Sequence, residues 1–285
     1  MIDYENFYRA SVQFLIDYAR KNGLQSYVLG ISGGIDSTVV AAIASEACRI
    51  LNISFIGRSL PTVSNHDIEI NTADLIGKAF CTNYKKKSIE ADYLQLLGSL
   101  EREGEVSKLQ SGNIKARLRM IYLYHLASKY KGCVLDTDNK TENELGFWTI
   151  HGDVGDVNCG IIHLWKTEVY SLADYLRAYF LYEVGDFVKG NSIQASIELV
   201  PTDGNGVSNG DCEQFGLENY NQVDDVLKTM YFPDGKPDRD KNMEYMRLID
   251  SYNEQGVDKV MVLHQNSEYK RKHMPISPST DIIDV

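Results

Sequence analysis

The sequence predicts an α/β protein built on an open, doubly wound parallel sheet flanked by helices, with a helical segment towards its C-terminal end. Two observations carry this expectation. Short apolar runs suited to buried strands alternate with longer segments of helical period, which implies parallel strands joined by βαβ crossovers. The first of those runs leads directly into a glycine-rich turn and a helix, which puts a ligand site at the carboxyl ends of the strands. A chain of 285 residues, 43% hydrophobic and 24% charged, can bury the core that such a sheet needs.

Taken in order, residues 4–22 place Phe7, Val12, Phe14, Leu15 and Tyr18 at mostly helical spacing. The run YVLGIS at 27–32 reads as a buried strand, and Ser37 to Arg49 as an alanine-rich helix. ISFIG at 53–57 is a second strand, and Asp67 to Phe80 a helix carrying Ile68, Ile70, Ala73, Leu75 and Ile76. A helix over about 113–130 precedes the strand CVLDT at 133–137. From 183 to 215 the periodicity weakens, and PTDGNGVSNGDCEQFG is rich in turn-forming residues. Pro233 and Pro237 break any helix across 230–240. The expectation is one domain over 1–276, mobile loops near 201–212 and 230–240, and a flexible tail over 277–285.

The net charge of −11 argues against a general nucleic-acid binder, so basic residues should matter locally, against an anionic small molecule. Five cysteines, at 48, 81, 133, 159 and 212, are widely spaced and include no C-x-x-C, as expected of free buried thiols in a reducing compartment. The polar start MIDYENFYRASVQ lacks the apolar core of a secretion signal, and no apolar run is long enough to span a bilayer. A cytoplasmic protein without a membrane partner is expected.

The stretch LGISGGIDSTVVAAIA at 29–44 is the chemical centre of the sequence. A glycine-rich turn between strand and helix presents backbone N–H groups and a helix N-terminus to an anion. Gly33 and Gly34 allow close backbone approach, and Ser32 and Ser37 can donate to phosphate oxygens. Asp36 would repel a phosphate unless a divalent cation lay between them, so a nucleotide with Mg²⁺ accounts for every residue together. Gly30-Ile31-Ser32-Gly33-Gly34 also fits the G-x-S-x-G elbow of a serine hydrolase, with histidines at 125, 151, 163, 264 and 273 downstream. That alternative leaves Asp36 and Ser37 without a task. A Walker loop is excluded, because no G-K-[ST] occurs.

SGGIDS at 32–37 resembles the pyrophosphate loop of the N-type ATP pyrophosphatases, which adenylate a carbonyl or carboxyl group. Four later segments narrow the resemblance. SGNIKARLRMIYLYHLA at 111–127, LDTDNKTENELGFWTIHGDVGD at 135–156, LWKTEVYSLADYL at 164–176 and SEYKRKHMP at 267–275 are similar, in order and spacing, to the motifs of NAD synthetases. No glutaminase domain accompanies them, so the resemblance is to the short, ammonia-dependent type, with an adenine nucleotide alpha hydrolase-like fold. It implies that the carboxylate of deamido-NAD attacks ATP, and that ammonia then displaces AMP from the acyl adenylate. By the same resemblance, Gly30, Ile31, Ser32, Gly33, Gly34, Ile35, Asp36 and Ser37 form the ATP loop, with Thr137, Lys166 and Thr202 also on ATP. Asp36 and Glu142 would hold Mg²⁺, and with Lys166 they make the catalytic set. Arg117, His151, Asp156, Tyr269 and Lys270 would bind deamido-NAD, in a homodimer.

The sequence departs from that pattern on the acceptor side. Ile150 stands for the lysine of T-K-Y-G-D, His151 for its tyrosine, Tyr269 for the histidine of H-K, and Asp136 for the glycine of G-T-D. The family's next aspartate falls on Val157 without a gap, or on Asp156 after a one-residue shift. Two further readings therefore stay open: an amidating enzyme for another carboxylated nucleotide, and a nucleotide-binding relative without catalysis.

Overall fold

A computed structural model describes residues 2–202, 206, 210–232, 241–273 and 275–283. The first helix, α1 (Tyr4–Asn22), starts where the Asp3 carboxylate accepts from the Glu5 and Asn6 amides and stops at Gly23, whose φ is +63°. There follow β1 (Ser26–Gly30), α2 (Ile35–Leu51), β2 (Ser54–Ser59), α3 (Asp67–Phe80), β3 (Asn83–Lys86), α4 (Glu90–Leu100), α5 (Lys108–Lys129) and β4 (Gly132–Asp136). The second half contains α6 (Lys140–Leu145), β5 (Val157–Asn158), α7 (Lys166–Ala178), α8 (Phe187–Ile197), α9 (Asp211–Phe215), α10 (Tyr220–Tyr231), α11 (Lys241–Ser251) and α12 (Glu254–Asn266).

Among the described residues the strands form one parallel sheet in the order β3-β2-β1-β4-β5, with Ser26 opposite both Ser54 and Gly132. Alternation along β1 divides the core. Tyr27 and Leu29 pack with α1, α2, α3, α7 and α8 on one face, whereas Val28 joins Ile56, Val134 and Ala127 of α5 on the other. A separate apolar cluster, centred on Phe215, Val223, Leu227, Leu248 and Val260, builds the C-terminal helical unit. Strand order reverses at β1, so the carboxyl ends of β1 and β4 open a crevice at the switch point. All five cysteines are free, and no helix among the described residues is long and apolar enough to cross a membrane.

The structure amends three expectations. The weakly patterned stretch after 183 contains α8, capped by Asp186 and buried through Gly190, Ser192, Ile193 and Ser196, while Phe187 and Val188 face outward. Small and polar residues line its buried side, so hydrophobic period could not announce it. Ile121, which helical spacing would put on one stripe with Ile114 and Leu118, is 57% exposed, because the later turns of α5 face the sheet through Leu123 and Ala127 instead. The tail is docked: Ile276 pairs with Val157, the Pro278 carbonyl lies 3.0 Å from His163 Nε2, and Ile282 is buried in the main core. Much of the segments 201–212 and 230–240 lies outside the described residues.

Candidate active site

The loop leaving β1 is held from within. The Ser37 hydroxyl donates to the Gly34 carbonyl at 3.0 Å, the Gly34 amide donates to Ser32 Oγ at 3.1 Å, and the two serine hydroxyls lie 2.9 Å apart. From α8, the Ser196 hydroxyl donates to the Gly33 carbonyl at 2.7 Å. Gly33 has φ +92°, and a Cβ there would lie 2.5 Å from the Glu69 carbonyl oxygen. Gly33→Ala is therefore expected to weaken binding of the nucleotide anticipated at this loop at least about tenfold by shifting the loop against α3, on the scale of 1–3 kcal/mol for local backbone strain. Calorimetric titration with the nucleotide checks this; unchanged affinity would show that the loop geometry is not critical.

Opposite the loop stands a buried cation between two acids. Lys166 Nζ is 2.5 Å from Asp36 Oδ2 and 2.9 Å from Glu142 Oε1, and Lys166 is 3% exposed. Burial alone would lower the Lys166 pKa, but the Asp36 and Glu142 carboxylates outweigh it and hold the group well above its ordinary value. Glu142 is pushed up to about 8, first by burial and then by the Asp36 charge, with Lys166 opposing. Lys166 opens α7, and its amide donates to Thr141 Oγ1 at 2.9 Å. Glu142 lies in α6, whose cap Asn139 accepts from the Glu142 amide at 3.0 Å and donates through Nδ2 to Asp36 Oδ1 at 2.8 Å. Sequence reasoning passed over Asn139. The Asn-x-x-Glu capping box that fixes it, Asn139 to Glu142, was legible as a helix start.

One cavity of about 750 Å³ joins the loop, Arg58, Thr137, Asp138, Glu142 and Lys166 to a second wall. That wall includes Arg117, Phe147, Trp148, Ile150, Asp153, Tyr269 and Lys270. Lys270 Nζ donates to the carbonyls of Gly146 and Trp148, and burial lowers its pKa. Arg117 Nε donates to the Ile150 carbonyl at 3.3 Å. Thr202 lies on the cavity wall with its hydroxyl bonded to Glu69.

Two of the expected substrate contacts stand elsewhere. Asp156 is not on the cavity wall: its carboxylate accepts from the Val134 amide at 3.0 Å and the Tyr124 hydroxyl at 2.9 Å, so it ties the middle of β4 to α5. His151 is exposed, has φ +57°, and meets the His273 ring edge-on at 5.7 Å. The hydrolase alternative also fails. Ser32 bonds within its own loop, whereas His163 is turned to Pro278 and His264 to Glu144.

A parallel sheet whose order reverses beside a glycine-serine loop, with a buried lysine held between that loop's Asp36 and Glu142, fits a nucleotide-binding α/β protein of the PP-loop class. The comparisons resolve the class further. The family model described as NAD synthase matches residues 7–274, and the chain belongs to that family. It is similar to an NH(3)-dependent NAD(+) synthetase from Fusobacterium nucleatum, at 31% identity over 265 residues, 93% of this chain and 92% of the relative. An NH(3)-dependent NAD(+) synthetase from Thermococcus kodakarensis is 30% identical over 278 residues, 95% of this chain and 97% of its own. Among solved structures, an NMN synthetase from Francisella tularensis shares the fold, with a TM-score of 0.75 at 24% identity over 98% of this chain and 100% of that one.

Proposed function

We propose that the protein is an ammonia-dependent NAD synthetase that amidates deamido-NAD at the expense of ATP. The observation that carries this reading is Lys166 held between Asp36 of the phosphate-type loop and Glu142, in the same cavity as Arg117 and Lys270. A carboxylate is a poor electrophile, and adenylation supplies its leaving group. The acceptor carboxylate oxygen attacks the α-phosphorus of ATP, the bond to the β,γ-phosphates breaks, and pyrophosphate leaves. Ammonia then bonds to the acyl carbon, the bond to AMP breaks, and the nitrogen gives up a proton.

The chain's part is positioning and charge neutralisation. Amides of the loop within 30–37 receive the phosphates, joined by the hydroxyls of Ser32 and Ser37 once they turn from each other and from Gly34, with Thr137 adding a hydroxyl and Thr202 another once it leaves Glu69. Lys166 neutralises the departing pyrophosphate. Arg117 and Lys270, with Tyr269 at the rim, take the anionic acceptor.

Mg²⁺ fits the acid pair. Asp36 and Glu142 crowd two carboxylates around one cation, and burial first, then the Asp36 charge, keeps the Glu142 pKa high. Among the described residues no three His, Cys, Asp or Glu side chains could hold a metal alone, which suits an ion that completes its shell with phosphate oxygens. Such an ion would screen the phosphate charge when bound. Pyrophosphate release that requires deamido-NAD, ATP, Mg²⁺ and ammonia together tests the reading, and its absence overturns it. The reading includes a homodimer in the cytoplasm, for which light scattering at micromolar concentration is the check.

The second reading, another carboxylated nucleotide as acceptor, is favoured by Ile150, an apolar residue on the cavity wall where the family pattern has lysine. Ile150→Lys is expected to lower the deamido-NAD KM about tenfold and leave the ATP KM unchanged, since charge-assisted hydrogen bonds contribute about 1.5–3 kcal/mol. Loss of deamido-NAD use with ATP binding intact would remove residue 150 from the acceptor site.

A further inference from the structure

We propose that Asp136 and Asn158 are a buried positioning pair that fixes the ATP-facing turn after β4 against the acceptor wall. The proposal rests on the cavity assignment above. Neither side chain lines the cavity, and both are fully buried. Their bonds account for every polar atom they carry. Asp136 Oδ2 accepts from Asn158 Nδ2 at 2.6 Å and from the Asp138 amide at 3.1 Å, while Oδ1 accepts from the Gly155 amide at 2.8 Å. Asn158 Nδ2 also donates to the Asp138 carbonyl at 2.9 Å, and its Oδ1 accepts from the amides of Gly160 and Ile162 at 2.9 and 3.0 Å.

Three consequences follow for the site. The Asp138 backbone is held at both its N–H and its C=O, and Asp138 lines the cavity beside Asn139, the donor to Asp36. Gly155 carries the segment with Asp153, and it lies so flat on β4 that a Cβ would come within 2.7 Å of the Asp136 nitrogen. Gly160 and Ile162 begin the turn that leads into Lys166. The pair thus ties together the supports of both substrates. A fully satisfied buried network of this kind rigidifies its surroundings, and a half-satisfied one is costly. Burial pushes the Asp136 pKa up to about 6 despite its three donors, so the carboxylate is kept at a cost that its bonds must offset.

The test compares wild type with Asp136→Asn, which turns an amide against at least one of those donors, and Asn158→Leu, which removes four bonds at similar volume. Backbone hydrogen exchange at Asp138, Gly155 and Ile162 is expected to speed at least tenfold in both. In the same folded variants, kcat is expected to fall about ten- to a hundredfold, since misplacement near 1 Å carries losses of that order. Should Asn158→Leu fail to fold, the nearly isosteric Asp136→Asn decides. Unchanged exchange overturns the proposal, as does faster exchange with kcat and both KM values within twofold of wild type. If wild type does not amidate deamido-NAD, the functional reading fails instead. The pair is then still judged by exchange and by calorimetric Mg²⁺–ATP affinity, where loss of affinity supports it and wild-type affinity overturns it.

Discussion

Glu142→Gln and Asp36→Asn are each expected to lower amidation at least about a hundredfold without unfolding the chain, the scale on which single preorganised groups act on a transition state. Each exchange keeps shape and volume, and each side chain retains one oxygen to accept from Asn139, while its new amide NH₂ replaces the oxygen that faced Lys166. What is lost is one negative charge from the pair around Lys166. The Mg²⁺ dependence of pyrophosphate release should move to higher concentration in both variants, with circular dichroism unchanged. Wild-type turnover in either would sink the assignment, and so would full wild-type activity in the presence of a chelator.

Lys166→Met should do more damage, because it affects stability as well as chemistry. Breaking a buried ion pair by removing one partner typically costs about 3–5 kcal/mol, since the remaining charge is stranded. Here two largely buried carboxylates would be stranded together. Denaturant unfolding should show a loss within that range, and amidation should fall at least as far as in the acid variants. A variant as stable as wild type would mean that Lys166 is not the counter-ion of the pair.

The sheet was readable because its strands are continuous apolar runs and its early helices carry clean caps or alanine. Asp67 to Phe80, for example, coincides with α3. Strand β3, Asn-Tyr-Lys-Lys, is a half-polar edge with no apolar run to mark it. Helix α8 hid for the opposite reason: apart from Ile193 its buried residues are glycine and serine, and Gly190 is needed because a Cβ would meet Leu181 at 2.4 Å. In the site, Asp36, Glu142 and Lys166 came together although 130 residues separate Asp36 from Lys166. Their motifs named them, whereas no local pattern could. Asp156 misled because register against a motif is ambiguous by one residue, and only three dimensions show its carboxylate turned into the sheet. Asn158 and Ser196 act through backbone partners far away in sequence, and composition carries no trace of that.

The docked tail bears on how the chain acquires its structure. Phe7, Pro278 and Ile282 converge on Gly160, so the N-terminal helix and the last described turn share one patch of core. Contacts between residues this distant close the largest loops, and high contact order slows folding. On a ribosome delivering about 5–20 residues per second, α1 emerges about 260 residues before Ile282 and must wait for it before this patch of core is complete.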